Sequence, residues 1–250
     1  GLEVASVATN LGIEVSIIEM ANRVMNRTVD PIISSYYHKL HENHGVKIYL
    51  DNGLKEFQGK NSVDKVLCSD GLELEADLVV VGAGVLPNQE IASNAGLECD
   101  NGIMVNEFGE TSDKNVYACG DCTNHPNESL GARLRLESVH NAMEQSKTVA
   151  NSIMGNKNPY NQIPWFWSDQ YDHKLQLVGI SGEHDEVILR GSESEKNFLL
   201  FYLRNSKLMA VNAVNSPKEF LISRKLVANK VKISSDVIKD QSINLNSLLL

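Results

Sequence analysis

A segment near the middle of the chain reads Val116-Tyr117-Ala118-Cys119-Gly120-Asp121-Cys122 and predicts a strand that ends at Gly120-Asp121. Upstream of it come Gly102-Ile103-Met104-Val105-Asn106 and then Thr111-Ser112. Earlier still, Asp77–Asn88 predicts a buried strand that runs into a glycine-rich turn, where missing side chains let the backbone approach a ligand. Each feature alone is only suggestive, but their combination in this order is much more specific.

The strand that ends in Gly120-Asp121 after Thr111 resembles the second flavin motif of the pyridine nucleotide-disulfide oxidoreductase superfamily. The resemblance implies FAD as a cofactor, bound at Gly120 and Asp121, with the Asp121 carboxylate accepting a hydrogen bond from the ribityl chain. The physical basis is that a carboxylate at the end of a strand can hold a hydroxyl where a helix dipole and backbone N–H groups stabilise its charge.

Two further segments narrow the resemblance within that superfamily. Arg133–Ala142 and Pro164–Tyr171 are similar to ferredoxin and rubredoxin reductases of the putidaredoxin reductase type, and the similarity extends over essentially the whole chain. The resemblance implies that a helix beginning at Glu137-Ser138-Val139 borders the flavin, with the Val139 backbone within reach of the isoalloxazine edge. Some relatives have tryptophan at the Val139 position, so the ring would be shielded differently here.

Trp165 and Trp167 belong to the second of these segments, which approaches the flavin in the family. A flat indole such as that of Trp167 can pack against the ring and exclude water. In the alternative interpretation both tryptophans are ordinary core residues. Both interpretations predict that the two indoles are buried.

The first eighty or so residues predict part of a dinucleotide-binding fold, with a helix from Leu2 to Leu11 and a strand from Val15 to Ile18. Glu19 follows that strand, where such folds carry the acid that binds the ribose hydroxyls, about 20 residues beyond a glycine fingerprint. Gly1 could be only the last glycine of that fingerprint, so we expect a domain truncated at its amino terminus. A structural βαβ unit without cofactor is the alternative.

The candidate residues for NAD binding are Gly1, Glu3, Glu19, Arg23, Gly82 and Gly84. Glu19 favours NADH over NADPH because a carboxylate repels a 2′-phosphate, although Arg23 could soften that preference.

Further elements are predicted by capping and turn signals. Asp30 and Pro31 begin a helix that runs to about His44, Val46–Leu50 predicts a parallel strand, and residues 54–75 predict a hairpin around Asp70-Gly71. His38, His41 and His44 share a helix face, but no carboxylate or cysteine pattern completes a metal site, so none is predicted.

Cys119 and Cys122 form a Cys-X-X-Cys pair, which in a reductase invites a redox-active disulfide. We favour two ordinary cysteines, because the residues between them are the Gly-Asp of the flavin motif and a reactive thiolate needs an open, electropositive site. Electrons would then leave the flavin directly, and no catalytic residue is predicted. The protein would stack the nicotinamide against the flavin and leave a flavin edge near the surface.

The last ninety or so residues predict an α+β module. Short strands are expected at Leu175–Val178, Glu186–Arg190, Phe198–Leu203 and Lys207–Val214, with turns at Gly182, Gly191 and Asn205. Ser216-Pro217-Lys218-Glu219 then predicts a helix that begins with a capping box.

Composition limits the class of partner. The chain has 250 residues and a net charge of −9, which disfavours nucleic acid. Its four cysteines are too few for a disulfide framework, and no apolar run is long enough to span a membrane, so a cytoplasmic protein is expected. Arg133 and Arg135 are candidates for a basic patch that would meet an acidic ferredoxin.

The sequence therefore predicts an α/β protein in three parts: a truncated Rossmann-type NAD-binding domain at 1–82, the second half of an FAD-binding domain at 83–160, and a carboxyl-terminal α+β domain at 161–250. The predicted function is transfer of electrons from NADH through FAD to a ferredoxin or rubredoxin. A homodimer is a further expectation. Two alternatives stay open. One is another reductase of the superfamily, such as a nitrite reductase subunit, a CoA-disulfide reductase or an enzyme like apoptosis-inducing factor. The other is a non-catalytic fragment that only binds nucleotide or associates with itself.

Overall fold

The computed structural model describes residues 1–128, 130–182 and 184–249. They form two compact units, Gly1–Ala83 with Asp169–His173, and Gly84–Ser168 with Lys174–Leu250. Helices and strands mix in both units, as the predicted α/β class requires. The division into three domains stays a prediction. Within the described ranges, no helix combines the length and the apolar character needed to cross a bilayer.

The first unit begins with a parallel pair of strands joined through a helix. It contains α1 (Leu2–Asn10), β1 (Ser16–Ile18), α2 (Pro31–Asn43) and β2 (Lys47–Tyr49), and β1 pairs in parallel with β2. α2 begins where the sequence predicts, because the Asp30 side chain accepts a hydrogen bond from the Ile32 N–H at 2.8 Å and Pro31 occupies the first turn. The predicted βαβ arrangement is confirmed.

An antiparallel sheet of three strands completes this unit: β3 (Leu54–Gln58), β4 (Lys65–Cys68) and β5 (Glu73–Glu75). β4 and β5 are joined around Asp70-Gly71, where Gly71 has φ +93° and the Asp70 carboxylate accepts from the Leu72 N–H at 2.9 Å. The predicted hairpin is therefore confirmed, and glycine suits the turn because positive φ is easy only for a residue without a Cβ.

The buried strand predicted at residues 77–81 is wrong. This segment is not a strand, and its apolar side chains face solvent, with Leu78 80% and Val81 67% exposed. The physical reason is that a strand needs a neighbour to accept its backbone hydrogen bonds, and no described segment pairs with this one. Apolar composition alone predicted burial without identifying what would cover it.

The second unit opens with α3 (Glu90–Asn94) and a small sheet of β6 (Ile103–Met104), β7 (Thr123–Asn127) and β8 (Ala132–Leu134), followed by α4 (Val139–Ile153). The strand predicted to end at Gly120-Asp121 is wrong, because the strand here begins later, at Thr123. Residues 111–118 bond locally instead: the Thr111 N–H donates to Val116 and the Ala118 N–H donates to Gly109. Only an isolated bridge at Tyr117 forms before the turn.

A five-stranded sheet forms the carboxyl-terminal part. Its strands are β9 (Trp165–Gln170), β10 (His173–Gly179), β11 (Glu186–Ser192), β12 (Asn197–Arg204) and β13 (Lys207–Val214), in the order β11-β12-β13-β10-β9. The four predicted strands are confirmed. The turn predicted at Gly191 is wrong, because Gly191 lies inside β11 with φ +92°, where the Phe198 backbone passes too close for a Cβ. The chain reverses after it, at Lys196.

The core of this part lies between the sheet and α5 (Pro217–Ala228), α6 (Ser235–Lys239) and a 3₁₀ helix at Leu245–Leu249. Phe201 and Val211 from the sheet pack with Phe220 and Leu226 from α5. The predicted capping box is wrong although α5 begins as expected. The Ser216 hydroxyl contacts the Val214 carbonyl at 2.9 Å and the Asn197 side chain, so it does not cap the helix.

Candidate cofactor site

A turn in the second unit presents Asp121 to solvent. Gly120 has φ +85°, and its N–H donates to Gln145 Oε1 at 2.6 Å. The Thr123 hydroxyl lies 2.8 Å from the Gly120 carbonyl oxygen and 2.9 Å from the same Gln145 oxygen. Asp121 is exposed between these two held residues, and its carboxylate has no hydrogen-bond partner in the described part of the chain. That carboxylate is a free acceptor on a turn whose two neighbouring residues, Gly120 and Thr123, are hydrogen-bonded to Gln145.

Arg135 brings the Asp121 turn together with the residues before α4. Its Nη1 lies 2.6 Å from Glu137 Oε1 and 3.3 Å from the Asp121 carbonyl oxygen, while its Nε lies 3.3 Å from Asn101 Oδ1. The Arg135 side chain is only 11% exposed. Two of the predicted flavin residues, Asp121 and Glu137, are therefore held by one guanidinium group.

The start of α4 lies beside this turn. Ser138 caps the helix, with its Oγ accepting from the Asn141 N–H at 3.1 Å. A Cβ on Gly120 would be 3.7 Å from the Cβ of Ala142, so the turn packs on the first turn of the helix. Val139 is the first helical residue and is 58% exposed. The positive end of the helix dipole thus lies beside the turn that carries Asp121.

An aromatic cluster extends from the helix start. The Trp165 ring is 5.3 Å from the His140 ring and 5.4 Å from the Trp167 ring, with Arg224 stacked 4.6 Å over Trp165. Trp165 is partly buried, but Trp167 is 40% exposed, so the prediction that both indoles are buried is wrong. The reason is that β9 is the edge strand of its sheet, which leaves one side of Trp167 uncovered.

The acid and the arginine predicted for NAD binding lie in the first unit. Glu19 directly follows β1, and its Oε1 accepts from the Ala21 N–H at 2.9 Å. Arg23 donates to the Val29 carbonyl at 2.8 Å and to the Asn26 carbonyl at 3.1 Å. The guanidinium of Arg23 is therefore occupied in shaping its own loop, whereas the second carboxylate oxygen of Glu19 has no partner among the described residues.

The glycines predicted for NAD binding do not all lie in one unit. Gly1 precedes α1, and a Cβ built on Gly82 would be 3.7 Å from the Gly1 backbone nitrogen, so these two glycines are neighbours. Glu3 is exposed in the first turn of α1. Gly84, with φ +90°, belongs to the second unit.

Comparison with known protein families gives two matches along the chain. The family model described as pyridine nucleotide-disulphide oxidoreductase matches residues 1–146. The chain belongs to this family. A second model, the reductase carboxyl-terminal domain, matches residues 165–249. Membership implies FAD and a pyridine nucleotide as cofactors.

The curated relatives include two reductases. Putidaredoxin reductase of Pseudomonas putida is 38% identical over 100% of this chain and 60% of its own length, and rhodocoxin reductase of Rhodococcus erythropolis is 36% identical over 98% of this chain and 58% of its own length. The chain thus spans about 60% of the curated relatives that it matches.

Two solved reductase structures are similar to this chain in both fold and sequence. The ferredoxin reductase for the CYP199A2 system from Rhodopseudomonas palustris has a TM-score of 0.96 and 40% identity, covering 100% of this chain and 62% of that one. The covalent putidaredoxin reductase–putidaredoxin complex has a TM-score of 0.95 and 38% identity, covering 99% of this chain and 60% of that one.

Although the name of the family includes the word disulphide, the cysteines beside Asp121 lack the features of a reactive thiolate. Cys119 and Cys122 are free, and the Cys122 thiol lies 3.7 Å from the Cys119 carbonyl oxygen. Burial raises the pKa of the Cys119 thiol, and the neighbouring Cys122 raises it further. A protonated thiol is a poor nucleophile, which disfavours a dithiol relay.

His38 and His41 of α2, and His44 directly after it, contact other residues of the first unit. His38 lies 3.4 Å from Glu42, His41 Nε2 lies 2.8 Å from Gln170 Oε1, and the His44 ring stacks 3.7 Å from the Tyr171 ring. Nowhere in residues 1–128, 130–182 and 184–249 do three His, Cys, Asp or Glu side chains form a group able to hold a metal.

Sequence patterns did not identify Gln145 or the role of Arg135. The basic patch expected at Arg133 and Arg135 stays a prediction; Arg133 is exposed, and its guanidinium donates to the carbonyl oxygens of Val105 and Asn124 at 2.7 and 2.5 Å. Gln145 gave no signal, since a single glutamine in an amphipathic helix is typical of a surface position. Only its burial, 1% exposed, distinguishes it.

Proposed function

We propose that the protein is a flavoprotein reductase that transfers electrons from NADH through FAD to a small iron–sulfur or rubredoxin-type protein. The support comes from relatives whose names state this activity, among them a ferredoxin–NAD(+) reductase component of Burkholderia cepacia at 34% identity. Because the chain spans about 60% of such relatives, the activity is that of the whole protein.

The observation that carries the proposal is the free Asp121 carboxylate beside the start of α4. FAD brings a chain of hydroxyls, a flat ring and two phosphates, and it supplies the hydride acceptor and the electron donor of the reaction. The chain offers a fitting partner for the first two: an exposed carboxylate with no protein partner among the described residues, and an exposed helix start at Val139.

Each residue of this site has a separate task in the proposal. Asp121 accepts a hydrogen bond from a ribityl hydroxyl, and Gly120 allows the positive φ that turns Asp121 outward. Arg135 keeps Glu137 against the turn, and Ser138 orders the start of α4 so that the Val139 backbone faces the ring edge. Trp167 covers part of the ring and keeps water from it. No side chain has to donate or accept a proton.

For the pyridine nucleotide we propose NADH, bound in the first unit at Gly1, Glu3, Glu19 and Gly82. Glu19 supports this preference, since its carboxylate would repel the 2′-phosphate of NADPH. Arg23, which could have attracted that phosphate, donates instead to two carbonyl oxygens of its own loop. The expected selectivity is therefore for NADH.

The partner is proposed to be a ferredoxin or rubredoxin, as in the solved complex of putidaredoxin reductase with putidaredoxin. A homodimer and a cytoplasmic location stay predictions.

The test is electron transfer from NADH to a [2Fe–2S] ferredoxin under anaerobic conditions. Its progress is recorded as the loss of the visible absorption of the ferredoxin. The protein should be used in the longest form that its gene encodes and with FAD in excess. We expect NADH to reduce the ferredoxin, and NADPH to do so at least about tenfold less efficiently, because of the Glu19 charge. Reduction of free disulfides but not of ferredoxin would contradict the proposal and favour another reductase of the family.

A further inference from the structure

Gln145 occupies an unusual place for a long amide side chain. It lies on α4, which buries Asn141, Gln145, Val149 and Ser152, and it is 1% exposed. Burying an amide is unfavourable unless its polar atoms find partners. The Gln145 Oε1 has two, the Gly120 N–H at 2.6 Å and the Thr123 hydroxyl at 2.9 Å.

These two partners flank Asp121 on either side. The single hydroxyl hydrogen of Thr123 is shared between Gln145 Oε1 and the Gly120 carbonyl oxygen, which lies 2.8 Å away, and the Thr123 N–H donates to the same carbonyl at 3.0 Å, which closes the turn. Gly120 has φ +85° and lies outside any strand, so no sheet ladder holds it in place. One amide oxygen on a neighbouring helix therefore restrains both ends of the turn that carries Asp121.

We propose that Gln145 is a positioning residue for the Asp121 carboxylate. It does not touch the cofactor; it orders the turn so that the carboxylate points outward before FAD arrives. The gain in affinity comes from ordering the turn in advance, because a binding group that is already placed loses less conformational freedom on binding. The inference rests on the proposed function, since FAD is the ligand that Asp121 is proposed to hold.

Two substitutions separate positioning from simple filling of the core. Gln145→Met keeps the length and volume of the side chain but removes the acceptor oxygen. Gln145→Glu keeps an acceptor for both the Gly120 N–H and the Thr123 hydroxyl, and we expect its carboxyl group to stay protonated because an ionised carboxylate is costly at a position that is 1% exposed. Ser152→Ala is the matched control, because Ser152 is also buried on α4, at 3% exposed, and among the described residues its hydroxyl donates to the Thr148 carbonyl of its own helix alone.

The first readout is amide hydrogen exchange of Gly120 in the chain without FAD. Exchange of this amide reports opening of its hydrogen bond to Gln145. We expect Gln145→Met to speed it by at least about tenfold, and Gln145→Glu and Ser152→Ala to change it by less than about threefold. Unchanged protection of Gly120 in Gln145→Met would overturn the proposal.

The second readout is the Kd for FAD, measured by quenching of flavin fluorescence, with the thermal midpoint recorded for each variant. We expect about tenfold weaker binding in Gln145→Met and recovery to within about threefold in Gln145→Glu. Unchanged affinity in Gln145→Met, in a protein that does bind FAD through Asp121, would overturn this inference alone. Failure of the unsubstituted protein to bind FAD would overturn the proposed function and this inference together.

Discussion

Arg135 Nη1 lies 2.6 Å from Glu137 Oε1 and 3.3 Å from the carbonyl oxygen of Asp121. Two of the residues proposed to border FAD, Asp121 and Glu137, thus contact one arginine whose side chain is only 11% exposed. The contact between Arg135 and Glu137 is a charge-assisted hydrogen bond, which is stronger than one between neutral groups.

Replacing Arg135 by methionine should weaken FAD binding. The methionine fills similar space but releases Glu137 and the Asp121 backbone, and a hydrogen bond to a charged group contributes roughly 1.5 kcal/mol, or about tenfold in Kd. Fluorescence titration measures the effect. Lys147→Met is the control, because Lys147 is 60% exposed and, among the described residues, forms an ion pair with Glu144 alone. The affinity of the Lys147→Met protein for FAD should match that of the unsubstituted protein. Equal Kd values for both variants would contradict the role given to Arg135.

Arg190 should be required for the stability of the carboxyl-terminal part. It is 8% exposed, and its guanidinium donates to the carbonyl oxygens of four residues of one segment: Ile238, Asp240, Gln241 and Ile243. Arg190→Met leaves these acceptors without their donor and should lower the free energy of unfolding by about 3 kcal/mol.

Chemical denaturation gives the magnitude for Arg190→Met, and limited proteolysis should show cleavage near residue 240. Lys218→Met, at an exposed position of α5, is the control and should leave both readouts unchanged. Resistance of Arg190→Met to the protease, with normal stability, would show that the segment is held by other contacts.

His125 should make folding depend on pH. It is 1% exposed and packs edge-on against Tyr160 at 5.2 Å; burial, and then the charge of Arg133, lower its pKa from 6.5 to about 4. Because the folded pKa is the lower one, the unfolded chain binds the proton first as pH falls. Stability is then complete above about pH 6.5 and is lost between 6.5 and 4, by up to about 3 kcal/mol.

The test for His125 compares the pH slope of the unfolding free energy with that of His125→Phe, which keeps the aromatic packing and cannot be protonated. The phenylalanine variant should lose less stability between pH 6.5 and pH 5 than the unsubstituted protein. Identical slopes for the two proteins would assign the acid sensitivity to other groups.

Glu19 should govern the choice of pyridine nucleotide. Glu19→Ala removes the charge that repels a 2′-phosphate, so the ratio of NADPH to NADH affinity should rise by about tenfold. Glu14→Ala, an exposed acid upstream of β1, is the control and should leave the ratio as it is. The ratio is read from rates of flavin reduction at varied nucleotide concentration. An unchanged ratio in Glu19→Ala would remove Glu19 from the site.

Local signals in the sequence predicted the fold well wherever the cause of the structure is itself local. Asp30 and Pro31 begin α2 as expected, and the two strands predicted at β12 and β13 pair as an antiparallel sheet. The failures at residues 77–81 and before Gly120 share one cause. A strand exists only with a neighbour, and apolar composition does not say whether a neighbour is present.

Only those residues of the site that belong to a recognisable sequence motif were predicted. Gly120, Asp121 and the helix start at Ser138 follow from a resemblance in sequence. Gln145 acts on Gly120 from 25 residues away, and Arg135 on Asp121 from 14 residues away. No spacing rule links such pairs, because the fold rather than the helix or strand period brings them together.

The proposed function depends above all on FAD binding through Asp121. This binding is measured by titrating the unsubstituted protein and Asp121→Ala with FAD and recording the visible absorption of bound flavin. NADH is then added under anaerobic conditions, and the loss of this absorption is recorded. The account predicts a bound flavin spectrum that NADH bleaches, and a Kd raised by roughly 10- to 100-fold in Asp121→Ala at unchanged thermal stability. Equal affinity of the two proteins for FAD, or no bound flavin in the longest form that the gene encodes, would contradict it.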